Sequence, residues 1–110
     1  MKIDFSQLRE REIPEFNGGT GTAILRMFED GKMKVLLGRL RPGASVGMHS
    51  HMTDCEVIFI LSGEGRVLSD GEMEPVGPGD CHYCPKGKSH SLINQGEGEL
   101  MFWAVVPEQR

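Results

Sequence analysis

Turn chemistry recurs along this chain at intervals that leave room only for short elements. Asn17-Gly18-Gly19, Asp30-Gly31, Arg41-Pro42-Gly43, Ser62-Gly63-Glu64-Gly65, Asp70-Gly71, Gly77-Pro78-Gly79, Lys86-Gly87-Lys88 and Gly96-Glu97-Gly98 punctuate it from end to end. Glycine supplies the positive φ of tight turns, while Asn, Asp and Pro preset their corners. Fifteen glycines in 110 residues is heavy for a helical domain. Between the turns lie strand candidates at 23–28, 34–40, 56–61, 65–69, 81–84, 89–93 and 100–106, rich in β-branched and aromatic residues. Only 6–12 has helical promise. Regularly spaced short strands predict an all-β domain, a sandwich or a double-sheet jelly roll.

The size suits one such domain spanning 1–110, with 1–22 as an N-terminal extension or edge segment and 23–106 as the barrel. Apolar residues make up 38% of the chain, enough for one core. A formal net charge of -4 argues against a nucleic-acid partner, which would want a basic face. No run of eighteen apolar residues exists, and residues 1–15 lack a signal-type hydrophobic stretch, so the expectation is a cytoplasmic protein without a membrane partner. Cys55, Cys81 and Cys84 are an odd number and read as free, buried thiols. The glycine-rich run 17–22 lacks the Lys-Ser/Thr ending of a phosphate loop and reads as a connection.

Chemistry concentrates in three histidines and one glutamate. His49 and His51 are two apart, so on a strand their imidazoles leave the same face. Glu56 follows after the polar break Met52, Thr53 and Asp54, which could return a carboxylate opposite them, and His90 must arrive from a distant strand. Imidazole nitrogen suits Zn, Fe and Ni, and a carboxylate broadens the choice to Mn, so the set predicts one divalent transition metal per chain, Mn, Fe, Zn or Ni. Four donors saturate a tetrahedral zinc but leave two cis positions free on an octahedral ion. Open positions are what a substrate or dioxygen needs.

The punctuation around these donors carries a resemblance. Gly43, His49, His51, Glu56 and Gly63 form one run; Gly79, Pro85, Gly87, His90 and Asn94 form a second, fifteen residues further on. Both resemble, in every spacing, the two motifs of the cupin superfamily, over about residues 23–106. The resemblance implies a double-stranded β-helix barrel with His49, His51, Glu56 and His90 as metal ligands. It also implies a homodimer packed sheet to sheet, and a pocket lined by Phe102, Ala104 and Val106. Periodicity alone leaves open whether that set or Met101, Trp103 and Val105 faces inward; Leu36, Gly38 and Leu40 would join the lining from a facing strand.

Two further expectations come from strand parity. Glu56, Ile58 and Ile60 share the ligand face of their strand, so Val57, Phe59 and Leu61 need another cover, either the N-terminal segment or a second subunit. His82, whose free imidazole has a pKa of ~6.5, is the one spare catalytic acid–base candidate, and Tyr83 takes the cavity if His82 does not. The pocket is expected to be apolar, with no cluster of Arg or Lys, and to take a small organic molecule. Similar sites serve enzymes and binding proteins alike. A metal-dependent oxygenase or isomerase and a non-catalytic binding or sensing module with a structural metal both fit.

Overall fold

All seven strands expected from turn spacing form, and three more join them in the computed structural model, which describes residues 1–110. In chain order the strands are β1 (Arg11–Pro14), β2 (Thr22–Glu29), β3 (Met33–Leu40), β4 (His49–Ser50), β5 (Glu56–Ser62), β6 (Gly65–Ser69), β7 (Glu72–Val76), β8 (Cys81–Cys84), β9 (Ser89–Asn94) and β10 (Leu100–Pro107). They build an all-β jelly roll of two antiparallel sheets. One runs β1-β2-β3-β10-β5-β8 and the other β4-β9-β6-β7. No helix is long and apolar enough to cross a membrane.

Between the sheets lies a cluster of fourteen buried apolar residues. Leu25, Leu36, Leu40, Ile58, Ile60, Phe102 and Ala104 enter it from the larger sheet, and Val67, Val76 and Leu92 from the smaller. Leu40, Leu92 and Leu100 are buried completely or nearly so, and each contributes about 1.5–3 kcal/mol by leaving water. Parity along β5 and β10 sends Ile58, Ile60, Phe102, Ala104 and Val106 inward and leaves Phe59 and Trp103 outside.

Two expectations are corrected and one open alternative is decided. Residues 6–12 are not helical: Phe5–Gln7 is one 3-10 turn capped by the Asp4 carboxylate, and β1 follows at once. A helix that short cannot repay its nucleation, whereas β1 pairs with β2 and packs Ile13 on the core. Cys55 and Cys84 are buried free thiols, but Cys81 is exposed. It lies opposite Phe59 across the β5–β8 ladder, and cross-strand partners share a face, here the outer one. The same ladder decides between His82 and Tyr83. His82 lies opposite inward-facing Ile58, and Tyr83, opposite Val57, is left exposed.

The punctuating residues hold this frame together. Gly63 has φ +92, and a Cβ there would come 2.4 Å from the Glu99 carbonyl oxygen, so only glycine lets β5 turn into β6. Asn94, 3% exposed, donates through Nδ2 to the carbonyls of Leu40, Arg41 and Gly98, and its Oδ1 accepts from Gly96 N–H. One amide thereby fastens the ends of β3 and β9 to the turn before β10. The turn at Pro85 and Gly87 exchanges backbone bonds with His51, since Gly87 N–H donates to the His51 carbonyl and His51 N–H to that of Lys88.

Candidate metal centre

Strand pairing brings together donors that are far apart in the chain. His49 and His90 are direct partners on β4 and β9, His51 follows the end of β4, and Glu56 opens β5 on the facing sheet. His51, Glu56 and His90 are buried and His49 half-buried. The four donor atoms lie within 4.8 Å of one another. His90 Nε2 is 2.8 Å from Glu56 Oε1, 3.0 Å from His51 Nε2 and 3.1 Å from His49 Nε2. Glu56 Oε1 is 3.0 Å from His51 Nε2 and 3.4 Å from His49 Nε2.

These separations fit a metal ion. Bonds of ~2.1 Å at right angles put neighbouring donors ~3.0 Å apart, and tetrahedral angles put them ~3.4 Å apart. Most of the observed values lie at the octahedral edge. The outward-facing nitrogens agree. His49 Nδ1 bonds the Gly47 carbonyl at 2.8 Å, His51 Nδ1 the Asp54 carboxylate at 2.6 Å, and His90 Nδ1 the Nε2 of His82 at 3.0 Å. Each contact meets a proton on Nδ1 and turns the Nε2 lone pair inward, the arrangement of a ligating histidine. Three lone pairs and a carboxylate oxygen then crowd one point, a conflict that a cation at their centre relieves.

The electrostatics point the same way. Burial pushes the Glu56 carboxyl up, yet the imidazoles of His49, His51 and His90 packed around it outweigh that and hold the group far below the usual carboxylate range. Glu56 stays anionic in a buried place. The adjacent Glu56 carboxylate is the main cause that raises His51 above its ordinary imidazole value by favouring its protonated form, against burial and with help from Asp54. His82 is lowered, first by burial and then by His90, which suits a neutral ring accepting the His90 Nδ1 proton.

Beside the donors opens a cavity of about 530 Å³. Of the six residues expected to line it, Leu36, Phe102 and Val106 do, and Gly38, Leu40 and Ala104 do not. Leu40 and Ala104 are wholly enclosed in the core, and Gly38 lies beneath Phe102, whose Cζ would be 2.6 Å from a Cβ there. His82 is also absent from the wall. It stands behind His90, stacked at 5.1 Å between ring centroids, and borders a separate cleft with Glu74 and Asp80.

The structure adds residues that local patterns did not reveal. Arg11, Ile13, Phe16 and Asn17 line the cavity from the segment read as an extension, and Lys34 lies at the rim. The cavity was expected to hold no cluster of Arg or Lys; Arg11 and Lys34 both border it. Arg11 faces the cavity because β1 pairs with β2 so that Arg11 stands opposite Leu25, another lining residue. The turn after β1 is held by close backbone approach: Gly47 N–H donates to the Phe16 carbonyl, and a Cβ on Gly47 would meet Asn17 O at 2.1 Å. Asp54, three residues after a histidine in a turn, carried a weak local signal for its role in holding His51.

Known proteins resemble this chain in sequence and fold. A family model described as Cupin domain matches residues 36–106. An oxalate-binding protein of Thermotoga maritima is 41% identical, over 96% of this chain and 93% of its own length. A solved structure from Thermotoga maritima, described as a predicted oxalate decarboxylase, superposes with a TM-score of 0.91 at 31% identity, covering 98% of this chain and 99% of the other. A sugar phosphate isomerase from Silicibacter pomeroyi superposes with a TM-score of 0.80, over 97% of this chain and 75% of its own; at 24% identity it speaks to fold alone.

Proposed function

The chain belongs to the Cupin domain family, and from that premise we propose that it binds a small carboxylate through one divalent transition metal, Mn, Fe, Zn or Ni, held by His49, His51, Glu56 and His90. The observation that carries the reading is the convergence of three Nε2 atoms and one carboxylate oxygen at the base of a cavity with basic residues at its rim. A divalent ion held by these four residues would supply positive charge and room for further oxygen donors, which a carboxylate such as oxalate could provide. The oxalate-binding relative supports that ligand chemistry.

Binding is favoured over turnover by what faces the ligand. Apart from the four donors, the titratable residues lining the cavity are Arg11, Lys34 and Asp54. Asp54 is committed to His51, Lys34 lies 3.7 Å from Glu29, and a guanidinium does not exchange its proton near neutral pH. An isomerase that shifts a proton would need a group free to move it at the substrate; His82 stands behind His90 instead. The test is calorimetric titration of oxalate into manganese-loaded protein. Saturable one-to-one binding that disappears when the metal is stripped is expected. Absence of binding to the loaded protein, or formate or oxidised carbon released at enzymatic rates, would overturn the reading.

The outer face of the larger sheet supports a homodimer. Leu37, Trp103, Phe59 and Cys81 stand side by side across β3, β10, β5 and β8, with Val35, Val105, Val57 and Tyr83 in a parallel row. Phe5 covers one part, with its ring centroid 6.4 Å from that of Trp103, yet Phe59 and Trp103 remain nearly half exposed. A twofold pair of sheets would bury both copies of this patch. Sedimentation velocity is expected to give a dimer that Trp103→Lys converts to monomer. A wild-type monomer at tens of micromolar would refute it.

A further inference from the structure

The cavity is far larger than oxalate needs. Its volume of about 530 Å³ is many times the ~30 Å³ share of a water molecule, and lies within the ~300–1,000 Å³ that whole organic ligands occupy. Its wall also divides by chemistry. It joins the four donors to the apolar side chains of Leu25, Met27, Leu36, Phe102 and Val106, and the exposed Arg11 and Lys34 stand at the rim.

Charge sets what can fill it. The lining holds two carboxylates, Asp54 and Glu56, and two cations, Arg11 and Lys34, so a divalent ion would add positive charge that an anionic ligand can neutralise. The two rim cations differ. Lys34 has Glu29 beside it, whereas Arg11 pairs with no carboxylate of the chain. Arg11 presents a planar fork suited to bidentate contact with an oxyanion. It is held on the cavity face by its pairing with Leu25.

We infer that the ligand is an organic dianion longer than oxalate, with a chelating carboxylate head among the four donors, an apolar middle against Phe102 and Met27, and a second anionic group on Arg11. This rests on the metal-dependent carboxylate binding proposed above and adds to it the ligand's length, its second charge and the residue that selects it. Apolar burial of the middle supplies affinity that oxalate cannot gain. The guanidinium discriminates against ligands of equal length that lack the distal charge.

The experiment uses the full manganese-loaded chain and compounds with one head group. 2-Hydroxyglutarate and 2-hydroxyadipate carry the distal carboxylate; 2-hydroxyhexanoate matches the second in length and lacks it. Calorimetry is expected to show one of the dianions binding at least about tenfold tighter than the monoanion. In Arg11→Gln that preference should fall to about twofold or less, with manganese content and the circular-dichroism spectrum retained. No preference in wild type, or a preference that survives Arg11→Gln, overturns the inference while oxalate binding stands. Failure of oxalate itself to bind the loaded protein overturns the functional reading and this inference with it.

Discussion

Replacing His51 by alanine is expected to leave the purified protein without stoichiometric metal and with a β-rich circular-dichroism spectrum unchanged. His51 Nε2 lies 3.0 Å from both His90 Nε2 and Glu56 Oε1, so its loss removes one donor of four and opens the centre to water. Affinity should fall by more than about 100-fold, beyond the ~10–100-fold that follows loss of a group supporting a ligand. Asp54→Ala supplies that smaller comparison. It keeps the imidazole but frees Nδ1, so the ring can turn and change tautomer. The fold should survive both changes, because His51 lies outside the apolar cluster between the sheets. Elemental analysis and titration against a competing chelator read the two effects. Full metal content in His51→Ala would contradict the assignment of the centre.

Asn94→Ala should cost the most stability of any single polar change, about 3 kcal/mol, lowering Tm by more than about 10 °C. Its amide reaches three carbonyls and accepts one N–H in a place closed to water. Truncation strands several of these groups, each at ~1–3 kcal/mol. Asn94→Asp tests the mechanism. It keeps the shape and the bond from Gly96, but turns two donors into acceptors facing carbonyls, so it should be no more stable than the alanine variant. A thermal melt within a few degrees of wild type in both variants would rule out this role.

Much of this architecture is visible in local pattern because local pattern is what decides it. The β5 run Val57-Ile58-Phe59-Ile60-Leu61 has no polar face, and the structure buries one side in the core while the other carries the exposed Phe59 and Leu61. The four candidate donors were legible because His49 and His51 keep a two-residue strand period and the glycine and proline punctuation around the set resembles the cupin motifs. Edge strands were not legible. β7, Glu-Met-Glu-Pro-Val, is exposed at four of five positions and contains a proline, which reads as a loop. It forms because it is an outer strand, where a missing N–H costs little. β4 is two residues long and exists only because β9 is beside it.

His82 illustrates the same limit on the chemical side. Its residue type allowed proton transfer, but the β5–β8 register that turns it inward also sets it behind His90, where it accepts a hydrogen bond. Arg11 is the converse case. Nothing near it in the chain distinguishes it from other charged residues of the first fifteen. Its place at the cavity comes from β1 closing the edge of a sheet that β10 and β5 continue.

From its order of residues alone the chain determines seven of its strands, its turns, the buried side of β5, and four candidate donor residues. Those properties depend on backbone geometry and on contacts between neighbours in sequence. Tertiary structure decided the rest: which edges pair, which basic groups line the cavity, and which histidine supports another instead of facing the cavity. Such features arise where segments distant in the chain meet, through hydrogen bonds and burial that no residue can express until its partner across the sheet is in place.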